Sequence, residues 1–139
     1  MKINVGRVLL GGIVAGIILN IGEFVLNDVV LRAQLKGFLT THKFSEPPSS
    51  FMFVAVGLTL VLGIVIVLGY AAIRPRFGPG PKTAIIAALF AWFGIYLYSG
   101  MINGILFGVP TNTILILLVW GLVEYIIAAL VGAALYKEA

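Results

Sequence analysis

The run FMFVAVGLTLVLGIVIVLGYAAI, from Phe51 to Ile73, contains no charged residue. Coiled into an α-helix it extends about 35 Å, enough to cross the hydrocarbon of a bilayer. A soluble domain of 139 residues has no interior large enough to enclose such a segment on all sides. The rest of the chain repeats the pattern. Hydrophobic residues make up 61% of it and charged residues 10%, and the mean hydropathy is +1.15. These values belong to an integral membrane protein with no soluble part large enough to fold alone.

Working outward, the sequence predicts three further spans, at about 8–31, 83–107 and 113–136. Lys2 and Arg7 ahead of the first apolar run have the look of a signal peptide. The apolar pattern continues past a typical signal core, however, and no small-residue cleavage site precedes its polar part, so it reads as a retained helix. The link Gly108–Asn112 is so short that the third and fourth spans must be antiparallel neighbours. Between the first two spans, Leu31, Leu35, Phe38 and Leu39 recur at helical spacing among Arg32, Lys36 and Lys43. That pattern predicts a short amphipathic interfacial helix over about 31–43, ended by Ser45-Glu46-Pro47-Pro48. The expected fold is all-α: a single domain, 1–139, forming a four-helix transmembrane bundle.

Charge sets the expected orientation. Lys2, Arg7, Arg74, Arg76, Lys82 and Lys137 fall on one side, against Arg32, Lys36 and Lys43 on the other. By the positive-inside rule both termini are cytoplasmic and the amphipathic loop faces outward. The stretch Arg74 to Lys82 reads as a stiff basic turn whose Arg74, Arg76 and Lys82 meet anionic lipid headgroups. Its Gly80, Lys82 and Thr83 mimic a phosphate loop, but the spacing is wrong, and Pro79 and Pro81 remove N–H donors that a phosphate cradle needs. Gly12 and Gly16 on the first span, and Gly57 and Gly63 on the second, read as helix-packing positions.

Polar residues inside the spans mark the candidate site. Asn20, Glu23 and Asn27 share one helix face, and Tyr96, Ser99 and Asn103 repeat the same three-then-four spacing. Counting depth from the expected outer helix ends at about 1.5 Å per residue puts Asn27 level with Asn103. Glu23 then matches Ser99 and Thr59, while Asn20, Tyr96 and Glu124 meet at about 16 Å, near the midplane. The result is a polar wedge open to the outside. Trp92, Tyr96, Trp120 and Tyr125 lie too deep for an interfacial belt, so their donors need partners, for which Glu23 and Glu124 are the obvious acceptors.

No lysine or arginine lies within any span, and Arg7 is about 24 Å along the helix from Glu23. Desolvation without a cation favours the neutral acid at Glu124. Such a cluster can serve as interhelical glue, yet intramembrane acids are costly and usually mark a path, a pocket or a partner contact. Cysteine is absent, His42 reads as a solvated loop residue, and nothing pairs a nucleophile with a base. The sequence therefore argues against an enzyme, with no catalytic residue, no cofactor and no metal site expected, and short basic loops argue against nucleic-acid binding. Two function classes remain: a binding or transport protein for a proton, cation or small ligand, and a non-catalytic accessory or assembly subunit of a larger membrane complex. The glycine faces suit homo-oligomerisation under either.

The segments GEFVLN (Gly22–Asn27), YAAIRPRFGPGPKT (Tyr70–Thr83) and LVWGLVE (Leu118–Glu124) together resemble a family of small, uncharacterised bacterial four-span membrane proteins. The resemblance implies a location in the bacterial inner membrane and supplies no activity, substrate or catalytic residue.

Overall fold

A computed structural model describes residues 2–138. The protein is all-helical, with four apolar helical spans. Helix α1 covers Val5–Val25 and continues through a π-helical turn, Leu26–Val30. Helix α2 is Arg32–Thr41 and α3 is Ser49–Phe77. The third span is α4, Pro81–Trp92, then a π-helical segment, Phe93–Tyr98, then α5, Ser99–Leu106. Helix α6, Thr111–Leu135, completes the bundle. The outer surface stays apolar, with Phe53, Phe90, Leu106 and Ile105 exposed along it, as a lipid-facing surface requires.

Local chemistry explains the boundaries. The Asn4 side chain caps α1 by accepting from Arg7 N–H at 3.2 Å. Pro110 precedes α6, and Pro81 opens α4, where its missing N–H costs nothing. The basic turn is shorter than the sequence suggests. Helix α3 does not stop at Ile73 but runs through Pro75 to Phe77, at the loss of the hydrogen bond that an N–H at position 75 would give the Ala71 carbonyl. The reversal is confined to Gly78–Gly80, where φ values of 87° and 117° at Gly78 and Gly80 require glycine. The Tyr70 hydroxyl accepts the Gly80 N–H at 3.1 Å and fixes the turn to α3.

Both termini lie at this same end of the bundle. Asn4 N–H donates to the Tyr136 hydroxyl at 3.1 Å, which in turn donates to Glu138 at 2.9 Å. Glu138 pairs with Arg74 at 3.0 Å. Arg74, expected at lipid headgroups, thus has a carboxylate partner within the protein. Arg76 and Lys82 are exposed at this end. Helix α2 forms within the expected interval and buries none of its residues in the bundle.

Small residues set the helix contacts. A Cβ on Gly63 would run into the backbone of Gly12 and Gly16, so α1 and α3 cross with main chains touching. Gly11 meets Gly132 on α6 in the same way. Alanines 15, 84, 87, 88, 128, 129 and 133 fill the core around Tyr70 and Tyr125. Gly57, expected at a helix contact, is exposed, with nothing near its missing Cβ. It is six residues from Gly63, which on a helix rotates it off the face used by Leu60, Gly63 and Ile64.

Gly63→Val is expected to cost roughly 1–3 kcal/mol of bundle stability, by overpacking a backbone contact. Gly57→Ala should not lower it, and better helix propensity should raise it by up to about 1 kcal/mol. Unfolding titrations in mixed micelles measure both; equal effects would contradict the assigned crossing.

Candidate functional site

The acidic site forms where α1, the third span and α6 meet. Glu23 comes from the last turns of α1, just before the π-helical turn Leu26–Val30. Tyr96 lies inside the second π-helical segment, the kind of helix irregularity often found at functional sites. Its hydroxyl donates to Glu23 Oε1. Asn27 donates to Glu23 Oε2 at 3.2 Å and to the Glu23 carbonyl at 2.9 Å. Both oxygens of Glu23 are thus held.

Glu124, from the middle of α6, is different. It is 6% exposed, and neither carboxylate oxygen has a hydrogen-bond partner. Glu23 is its charged neighbour. Two glycines make the arrangement possible. A Cβ on Gly22 would stand 2.7 Å from Glu124 Cδ, so the carboxylate rests on the bare backbone of α1. A Cβ on Gly121 would stand 2.6 Å from the Tyr96 ring, which crosses α6 through that notch to reach Glu23. Tyr125, 1% exposed, packs edge-on against Tyr96, with ring centroids 5.3 Å apart.

The expected depth alignment is displaced by one turn. Tyr96 meets Glu23 instead of lying level with Asn20, and it crosses α6 at Gly121 rather than facing Glu124. Against α6 the shift follows from the helix ends: the third span stops at Leu106 and α6 starts at Thr111, not at 107 and 113; against α1 it does not, since Tyr96 counted from Leu106 and Asn20 counted from Val30 stay equally deep. Counted from those ends, Tyr96 and Gly121 are equally deep.

Four of the eight expected pocket residues therefore come together: Glu23, Asn27, Tyr96 and Glu124. The other four do not join them. Asn20 turns to backbone carbonyls, donating to Gly16 at 3.0 Å and Val56 at 3.3 Å, and so ties α1 to α3. Thr59 returns its hydroxyl to Ala55 at 2.7 Å. Ser99 donates to Gly94 at 3.2 Å, satisfying a carbonyl of the π-helical segment. Asn103 is exposed near the C-terminal end of α5. Nor do the indoles serve the acids: Trp92 donates to the Leu118 carbonyl at 2.9 Å and Trp120 to the Gly22 carbonyl at 3.1 Å. Gly22 and Gly121 belong to the site and were not singled out from sequence, whereas Tyr125 was, as one of the deep aromatics. The signal for the glycines was proximity, since each sits within three residues of an acid on its own helix.

Among the described residues no group of three or more His, Cys, Asp or Glu side chains assembles. A cation here would be held by the two carboxylates with Tyr96 and Asn27 oxygens in support. Compared with known proteins, the chain matches no family model, no curated protein and no solved structure. Function rests on the site alone.

Tyr96→Phe is expected to destabilise the bundle by about 1–3 kcal/mol, because it leaves Glu23 short of a donor inside the membrane. Gly22→Ala should also destabilise it, by forcing Glu124 aside. Detergent unfolding curves check both, and wild-type stability in Tyr96→Phe would contradict the assigned bond.

Proposed function

We propose that the protein is a membrane binding or transport protein whose working group is the carboxylate pair Glu23 and Glu124, with a proton, a cation or a small ligand as its cargo. The observation that carries this reading is Glu124: a buried acid, unpartnered, beside a second acid, in a chain whose apolar runs 8–31, 51–73, 83–107 and 113–136 contain no lysine or arginine. Two adjacent carboxylates in a low-dielectric interior repel one another, an arrangement that a bound proton or another cation relieves. Glue between helices would call for satisfied polar groups, which Glu124 is not. Tyr96 and Asn27 pin Glu23 and so leave Glu124 as the group able to change partners.

The resemblance noted in the sequence supports a location in the bacterial inner membrane, and the cation distribution supports cytoplasmic termini. Helix α2, with its apolar Phe38 and Leu39 and its exposed Arg32 and Lys36, suits the outer lipid interface.

A second reading, an accessory subunit of a larger complex or a homo-oligomer, draws on Gly57 and Gly94. Both are exposed, with open space at their missing Cβ atoms, and offer a partner helix close approach.

Proteoliposomes with an entrapped pH-sensitive dye test the first reading. Wild-type protein should dissipate an imposed proton or cation gradient, and Glu124→Gln, assembled normally, should not. Unchanged flux in Glu124→Gln would sink the assignment, and obligate co-purification with other subunits would favour the second reading.

A further inference from the structure

A groove of about 760 Å³ runs along the seam between α1 and α6. On α6 its wall extends from Leu115 to Ile127, about 18 Å along the helix axis. Its rim residues Ile21, Val119 and Val123 are more than half exposed, so it opens sideways toward lipid rather than down from the outer mouth. Of the eight residues expected to line a pocket, only Glu124 lines this one.

The lining is apolar with two exceptions, and they differ in kind. The Trp120 N–H is already donated to the Gly22 carbonyl. Glu124 has two oxygens and no partner for either. What the wall lacks is therefore a donor, and an ionised carboxylate is matched best by one that is also positively charged. Its place in the middle of α6 puts that group far from either aqueous surface. A donor reaches such a depth from the side only when carried by a body soluble in lipid.

We propose that this groove is a lateral binding site for a lipophilic amine, whose alkyl body lies between α1 and α6 and whose ammonium N–H donates to Glu124. The proposal rests on the acidic pair as the working site and names its ligand class. Gly22 is what permits it, since any side chain there would displace the Glu124 carboxylate. Rotation about the Glu124 side chain turns an oxygen from its sealed position against Gly22 into the groove, and an amine entering from lipid as the free base takes up the proton that relieves the pair, becoming the ammonium that donates back to Glu124.

The groove can be read by its own tryptophan. In Trp92→Phe protein, reconstituted in zwitterionic phosphatidylcholine nanodiscs, Trp120 is the sole tryptophan. Titration with a terminally brominated undecylamine should quench it saturably. Glu124→Gln on that background should weaken binding roughly tenfold or more, as loss of a charge-assisted hydrogen bond requires. Val119→Phe, which fills the groove without touching the acid, should weaken it as well. Native mass spectrometry of otherwise wild-type protein with the same amine should show one bound mass per chain, independently of how Trp92→Phe folds. Quenching that is linear and equal in Glu124→Gln would overturn the proposal, as would equal binding of the matching bromoalcohol or trimethylammonium compound. Quenching by brominated phospholipid that the amine cannot relieve would assign the groove to bulk lipid. A dimer with Trp120 shielded from all of these probes would assign it to a second copy, and either result overturns the amine. Glu124-dependent flux in protein that binds no amine would overturn the groove assignment and leave the acidic pair standing. Saturable, Glu124-dependent binding without flux would support the groove and count against transport.

Discussion

The bundle is built around two carboxylates that an apolar interior cannot hold unaided. Each needs either a donor or a proton, and no lysine or arginine within the spans supplies a counter-charge. Tyr96 and Asn27 answer for Glu23. To bring Tyr96 across, α6 gives up a side chain at Gly121, and to seat Glu124, α1 gives up one at Gly22. The π-helical segment Phe93–Tyr98 carries Tyr96, and Ser99 repairs one of its carbonyls. These features fall into place once the acids are taken as the fixed requirement.

The opposite end of the molecule solves a different problem. There the helices approach through Gly11, Gly12, Gly16, Gly63 and Gly132, and van der Waals contact between backbones takes over from a hydrophobic effect that lipid does not provide. Tyr136, Glu138, Arg74 and Asn4 tie the two termini to the end of α3. A close-packed, tied end and a looser end bearing acids divide the bundle along its length. Exposed residues along Phe51–Leu58 of α3 mark the looser half.

The fold was legible because hydropathy alone specifies four spans when charged residues are so few. Span boundaries were less so: the stretch from Arg74 read as turn, yet α3 continues through Pro75 to Phe77 at the loss of one backbone hydrogen bond. Two residues of error at one helix end and one at the other moved Tyr96 by about a turn along α6, from Glu124 to Gly121. The acids, Asn27 and Tyr96 were readable because polar groups at this depth are conspicuous. Asn20, Thr59 and Ser99 stand out equally in sequence, yet a short polar side chain on a helix bonds a nearby carbonyl whenever no better partner is in reach. Spacing does not distinguish these two fates; the neighbouring helix does. Gly22 and Gly121 escaped notice for the same reason, since a glycine's role lies in what crosses it.

The most direct test is infrared difference spectroscopy of the protein in nanodiscs between acidic and alkaline buffer, compared with Glu124→Gln and Tyr96→Phe. A carboxylic-acid carbonyl band from the buried pair should appear in the wild-type difference spectrum. It should vanish in Glu124→Gln and shift in Tyr96→Phe. Superimposable spectra, with every carboxyl change assignable to Asp28, Glu46 and Glu138, would contradict the claim that Glu23 and Glu124 form a working site.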